Sequence, residues 1–250
     1  MGIKYKFKHS LDEPGRTTEH ARIIRDKKFL NKLYREWYQT LFNEIKNISQ
    51  QRVVELGSGG GFLKSLAPEV ITSDFLQLHA NDMSFSALDM PFPETSLDGI
   101  FMIDTFHHLP DVNLFLAEAE RTLKSGGKLI MIEPANSIWG RFIYRNFHHE
   151  PFDPQGGWTI PVSGPLSGAN GALPWIVFER DKQLFLDNFP NLLLEKISYH
   201  TPLRYLLSGG VSYRQIVPDF TYALFASIDE LLSNLSSQIS MFMTIVVHKK

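Results

Sequence analysis

Val53-Val54-Glu55-Leu56-Gly57-Ser58-Gly59-Gly60-Gly61-Phe62-Leu63 is the stretch on which the fold turns. Val53, Val54 and Leu56 are apolar and β-prone and read as a buried strand, while Leu63, Leu66 and Ala67 follow at helical spacing. Gly57, Gly59 and Gly61 occupy every second position between them. Without Cβ atoms the backbone there can take φ > 0, and its N–H groups can lie directly against a ligand. A helix beginning at this point would aim its partly positive N-terminus at the same spot. The expectation is a small-molecule pocket at the mouth of the first strand of an open α/β sheet.

Spacing narrows the ligand. A dinucleotide fingerprint requires G-x-G-x-x-G. Here the third glycine comes one residue early and Phe62 fills the slot the fingerprint needs, which disfavours an NAD-type oxidoreductase. Further on, Val70-Ile71-Thr72-Ser73-Asp74 is a short β-prone run ending in an acid about twenty residues after the first strand. A carboxylate in that position is placed to accept hydrogen bonds from ribose hydroxyls. Met83-Ser84-Phe85 is a brief third strand, and Leu97–Asp104 an apolar run suited to a central parallel strand. Asn113–Leu123 has helical periodicity, with Gly126-Gly127 expected to stop it, and Lys128–Glu133 reads as the fifth strand.

Acid, apolar residue and G-x-G-x-G together closely resemble motif I of the class I S-adenosylmethionine-dependent methyltransferases, of the type 11 kind. The ordered set supports this: Asp74 ending the second strand, Thr105-Phe106-His107-His108-Leu109-Pro110 after the fourth, then helix, Leu123-Lys124-Ser125-Gly126-Gly127, strand and Glu133-Pro134. The resemblance runs from Val53 to Pro134. It implies a doubly wound, mostly parallel seven-stranded Rossmann-like α/β sheet with an antiparallel last strand. It also implies S-adenosyl-L-methionine as cofactor and S-adenosyl-L-homocysteine as product. Carried onto this sequence, the cofactor contacts are Glu55, Gly57, Ser58, Gly59, Gly61, Asp74, Phe75, Ser86, Ala87, Asp104 and His107. Ser86 stands where the family commonly has an Asp that reaches the adenine amino group, so that contact departs from the pattern.

Outside this block the chain is less regular. Residues 1–17 are polar and expected to be flexible, and 18–250 are read as a single domain. From Thr18, a plausible N-cap, apolar residues recur at three- and four-residue steps, giving N-terminal helices over 18–48. Tyr34 or Trp37 from these helices could bring an aromatic face to a positive sulfur. Ser137–Phe147 is an amphipathic helix. It leads through His148-His149-Glu150 into a Gly/Pro-rich segment, Asp153–Pro174, whose Trp158, Ile160, Val162 and Leu166 argue against simple disorder. A helix over Leu173–Asn188 and strands over Leu192–Tyr199 and Met241–His248 complete the sheet, with a further helix over Asp219–Leu235. Residues of about 135–172 and 201–240 are read as cap insertions over the strand ends.

Composition sets outer bounds. A chain of 250 residues with a formal charge of −2 offers no electrostatic footprint for nucleic acid. No cysteine is present, so disulfide, thiolate and Cys-metal chemistry are excluded. Neither a signal peptide, nor a myristoylation signal at Gly2, nor a membrane-length apolar run is seen, and a cytoplasmic protein is expected. No metal is expected either, since the adjacent His107 and His108 should point in different directions.

The activity expected is in-line (SN2) methyl transfer to an O or N of a small or medium-sized acceptor enclosed by the cap. His149, Glu150 and His148 are the candidates for a base. A cofactor-binding protein without catalysis, using the cap for a partner, is the alternative that the altered Ser86 keeps open. The acceptor and the oligomeric state are left open.

Overall fold

The computed structural model describes residues 3–161 and 164–250. Val162 of the long loop lies outside them, as do Met1 and Gly2. Seven strands form one sheet: β1 (Val53–Leu56), β2 (Ile71–Asp74), β3 (Met83–Ser84), β4 (Leu97–Ile103), β5 (Leu123–Pro134), β6 (Leu192–His200) and β7 (Phe242–Lys249). Their order is β3-β2-β1-β4-β5-β7-β6. Strands β1 to β5 pair in parallel. Strand β7 slots between β5 and β6, antiparallel to both. This is the Rossmann-like sheet expected, with the antiparallel strand in place. The central position of β1 and β4 explains their near-continuous apolar runs, for a strand covered on both faces has no solvent side to make polar.

The helices are α1 (Pro14–Asp26), α2 (Lys28–Asn43), α3 (Val112–Thr122), α4 (Ile138–Phe147), α5 (Leu173–Trp175), α6 (Lys182–Asn188), α7 (Arg204–Ser208) and α8 (Tyr222–Leu235). Helix α2 buries Phe29, Leu30, Leu33, Trp37 and Leu41. Its rings reach across the sheet, Phe42 meeting Phe101 of β4 and Trp37 meeting Phe242 of β7. Each such fully buried side chain contributes about 1.5–3 kcal/mol.

Four local expectations are corrected. Helix α1 starts at Pro14, not after Thr18, because proline is pre-set for a first helical turn; the Thr18 hydroxyl instead donates to the Pro14 carbonyl inside it. The N-terminal helices read over 18–48 are two that meet at Lys27, and the second ends at Asn43 rather than at 48. No α-helix follows the glycine loop: Phe62–Ser65 is one 3₁₀ turn, and Pro68 prevents its extension by disfavouring helical backbone at the residue before it. Gly126-Gly127 does not cap α3, which stops at Thr122 and passes directly into β5.

The interval between β5 and β6 carries α4, the long loop, α5, a π-helical turn over Ile176–Arg180 and α6, whereas that between β6 and β7 carries α7 and α8. The N-terminal segment is joined to the second interval. Lys4 bridges Tyr213, and the Tyr5 and Arg214 N–H groups donate to the Ser212 and Ile3 carbonyls. The buried Lys27 ammonium, at the break between α1 and α2, donates to the carbonyls of Gly210 and Tyr213.

Candidate active site

The parallel strands deliver Gly57, Asp74 and Asp104 to one edge of the sheet, where open α/β sheets place their ligands. A cavity of about 410 Å³ opens there, within the range of small-molecule sites. Gly57 and Gly59, both at positive φ, form part of its wall with Asp74, Phe75, Ser86, Ala87 and Asp104. A Cβ on Gly57 would collide with the Thr105 side chain, so this turn admits only glycine. The loop is tied to β2 by the Gly59 N–H donating to the Asp74 carboxylate at 2.9 Å, and the Leu76 N–H donates to the other oxygen at 2.9 Å. Burial raises the Asp74 carboxyl above its ordinary value, opposed by these N–H donors.

The remaining residues taken as cofactor contacts stand behind the wall. Glu55 points away, buried, and accepts the Tyr38 hydroxyl of α2 at 2.6 Å. Burial lifts its carboxyl to about 7 against the pull of the Tyr38 and Ser58 hydrogen bonds. Ser58 bonds the Glu55 carbonyl and accepts from the Ser73 N–H, and Gly61 packs on Ala80. Tyr34 and Trp37 are core residues packed on each other.

Thr17 of α1 was missed by the sequence reading and lines this cavity, its buried hydroxyl without a hydrogen-bond partner. Nothing in its surroundings marked it, since it lies in the stretch taken as flexible. Ile160 and Leu166 of the long loop form the opposite wall.

Asp104 follows β4 in the left-handed region, φ +55°. Burial lifts its carboxyl to about 7, with His107 opposing and Glu150 and Glu133 adding to the rise. Behind it lies a cluster that the fold assembles from three segments. Glu133 of β5, fully buried, accepts from the Thr105 and Phe106 N–H groups and from His107 Nδ1 at 2.7 Å. His107 Nε2 faces Glu150 at 3.2 Å. Burial alone would depress the His107 imidazole, but the Glu133 and Glu150 carboxylates hold it well above its ordinary value. Glu150 is held well below the usual carboxylate range, its own burial outweighed by His107, His148 and His108.

The idea that His107 and His108 diverge is corrected. Both lie in the tight turn Phe106–His108, their rings 4.2 Å apart, and both approach Glu150. His148 and His149 also approach it, at 3.5 and 3.7 Å. Burial lowers His148 and His108 to about 4, leaving both neutral near pH 7.

A second cavity, about 530 Å³, lies between α4, the His148-His149 turn, α7 and the Gly209–Tyr213 loop. A void of about 10 Å³, enough for one water, shares Asp104 with the first cavity and Tyr144, His148 and Tyr205 with the second.

A methyltransferase-domain family profile matches residues 54–131. The demethylmenaquinone methyltransferase of Deinococcus radiodurans is 29% identical over 166 residues, 57% of this chain and 65% of that protein. The chain thus spans just under two thirds of that relative's length. The enzyme of the same name from Symbiobacterium thermophilum is 25% identical over 177 residues, 69% of this chain and 68% of that protein. Among solved structures, geranyl diphosphate C-methyltransferase from Streptomyces coelicolor A3(2) superimposes with a TM-score of 0.51 at 13% identity, covering 100% of this chain and 92% of that one. A SAM-dependent methyltransferase from Archaeoglobus fulgidus gives 0.53 at 15% identity, with 87% and 94% covered. At such identities the structural likeness is one of fold. Residues 54–131 carry the methyltransferase-domain match, and the sheet around them has the fold of S-adenosylmethionine-dependent methyltransferases.

Proposed function

We propose that the chain transfers the methyl group of S-adenosylmethionine to a medium-sized, largely apolar acceptor held in the second cavity. The observation that carries this reading is the water-sized void, which shares Asp104 with the first cavity and Tyr144, His148 and Tyr205 with the second. Two reactants in the separate cavities would meet there.

The cofactor fits what the first cavity offers. Gly57 and Gly59 allow close backbone approach, the Asp74 oxygens keep lone pairs for ribose hydroxyls, and the unpartnered Thr17 hydroxyl would gain a partner. When bound, S-adenosylmethionine supplies a methyl group on a positively charged sulfur. Asp104 is the carboxylate at the void on that side, and its charge favours the cation. The protein's contribution is orientation, for alignment at near-attack distance can supply up to about 7–11 kcal/mol.

The acceptor's nucleophile, an O, N or activated C, bonds to the methyl carbon while the C–S electron pair returns to sulfur. Its proton passes to His149, which lines the second cavity and stands 3.7 Å from the Glu150 carboxylate. His148 stays neutral and lines the void. Aromatic and aliphatic walls, including Tyr144, Phe147, Tyr205 and Met241, suit an apolar ring or chain. The relatives named for demethylmenaquinone make hydroxylated aromatic compounds with apolar tails the first acceptors to try.

Calorimetry with S-adenosylhomocysteine tests the foundation. Uptake of one equivalent, weakened at least tenfold in Asp74→Ala, is expected. A well-folded protein that takes up none would overturn the reading.

A further inference from the structure

We propose that His107, His108 and Glu150 form a binding site for a divalent transition-metal ion, Zn²⁺ being the best match to the donor set. This rests on the cluster's own geometry and not on the methyl-transfer reading. The three side chains each offer one ligand atom, and these atoms lie within 4.8 Å of one another. His107 Nε2 is 3.2 Å from Glu150 Oε2, and His108 Nε2 is 3.7 Å from Glu150 Oε1. Ligands bound to one tetrahedral ion at about 2.0–2.2 Å sit about 3.3–3.6 Å apart, so the convergence needs only small adjustment.

Both imidazoles are also oriented as metal ligands are. A ligating histidine commonly donates its other ring N–H to a carboxylate or a backbone carbonyl, which fixes the tautomer and aims the lone pair. His107 does so to Glu133 at 2.7 Å, and His108 Nδ1 does so to the Gly168 carbonyl at 2.9 Å. The two Nε2 atoms are thereby directed at the same carboxylate from a rigid turn. The Glu133 anchor is itself locked by two backbone N–H donors, from Thr105 and Phe106. His107 and Glu133 are almost wholly buried, and His108 is 12% exposed, so water does not compete freely for the site. Two imidazoles and one carboxylate suit Zn²⁺ and other first-row divalent ions, and leave a coordination position open. His148 and His149 lie near the same carboxylate and offer a rival set with Glu150.

The test is a titration of untagged, chelator-stripped protein with Co²⁺ and then Zn²⁺. Visible d–d absorption should saturate at one equivalent of Co²⁺ and be displaced by Zn²⁺. His108→Ala and Glu150→Gln should abolish it while far-UV circular dichroism stays unchanged. Glu133→Gln, which keeps an acceptor for the two backbone N–H groups, should weaken Zn²⁺ about 10–100-fold. The double variant His148→Ala/His149→Ala should still bind. Absence of a saturable spectrum, or its loss in the double variant with retention in His108→Ala, would overturn the assignment. Neither readout requires methyl transfer, so failure of the metal site and failure of the proposed activity are separable.

Discussion

Asp74 illustrates how one side chain can hold a loop and leave capacity for a ligand. Its two oxygens each accept a backbone N–H, yet a carboxylate has about four lone-pair sites. Asp74→Ala is therefore expected to weaken S-adenosylhomocysteine at least tenfold by calorimetry, with Asp74→Asn intermediate. Thr17→Val, which removes an unpartnered hydroxyl and keeps the shape, should cost severalfold in the same titration and leave thermal stability unchanged or improved. His149→Ala should lower kcat about 100-fold or more while leaving cofactor affinity intact; equal loss of both would point to collapse of the turn instead. At this scale Asp74 was legible because its place at a strand end follows from strand spacing. Thr17 was not, because its role depends on where α1 lies against the sheet. Glu55 was read as a ligand contact, but its partner is a hydroxyl brought in from α2.

Elements carry the larger departures. Leu63, Leu66 and Ala67 have helical spacing, but a spacing of three and four residues is met equally by one 3₁₀ turn, and Pro68 settles which forms. At α1 and α2 the periodicity allowed two helices but did not place the break between them. Lys27 explains it: a buried ammonium bonded to two carbonyls of the Gly209–Tyr213 loop fixes the chain at that point. Burial lowers this lysine to about 8. Lys27→Met should remove two charge-assisted hydrogen bonds, destabilising the protein by about 2–3 kcal/mol in denaturant titrations. It should also loosen the wall of the second cavity, so that KM for the acceptor rises more than KM for the cofactor.

The whole molecule was legible where the hydrophobic pattern and the family resemblance agree. The strands were legible as apolar runs, while the insertion of β7 between β5 and β6 followed from the family resemblance. The meeting of His107, Glu133 and Glu150 was not legible, since residues 17 to 43 positions apart come together only through the pairing of β4 with β5 and the return of the chain after α4. Global stability should bear the mark of the buried Glu55. A carboxyl raised from 4.5 to about 7 binds more protons folded than unfolded, so its contribution is fully present below pH 4.5 and is lost as pH rises through 7. At about 1.4 kcal/mol per pKa unit the change is up to about 3 kcal/mol. Glu55→Gln should flatten that part of the Tm–pH curve and leave the protein no less stable at pH 8, as scanning calorimetry would show.

The narrowness of the constriction at Asp104, with room for a single water, has a kinetic consequence. With the cofactor in the first cavity and the acceptor in the second, as proposed, each would enter and leave by its own door. Product inhibition should accordingly reveal random-order binding, with the spent nucleoside competing against its precursor alone and the methylated product against the acceptor alone.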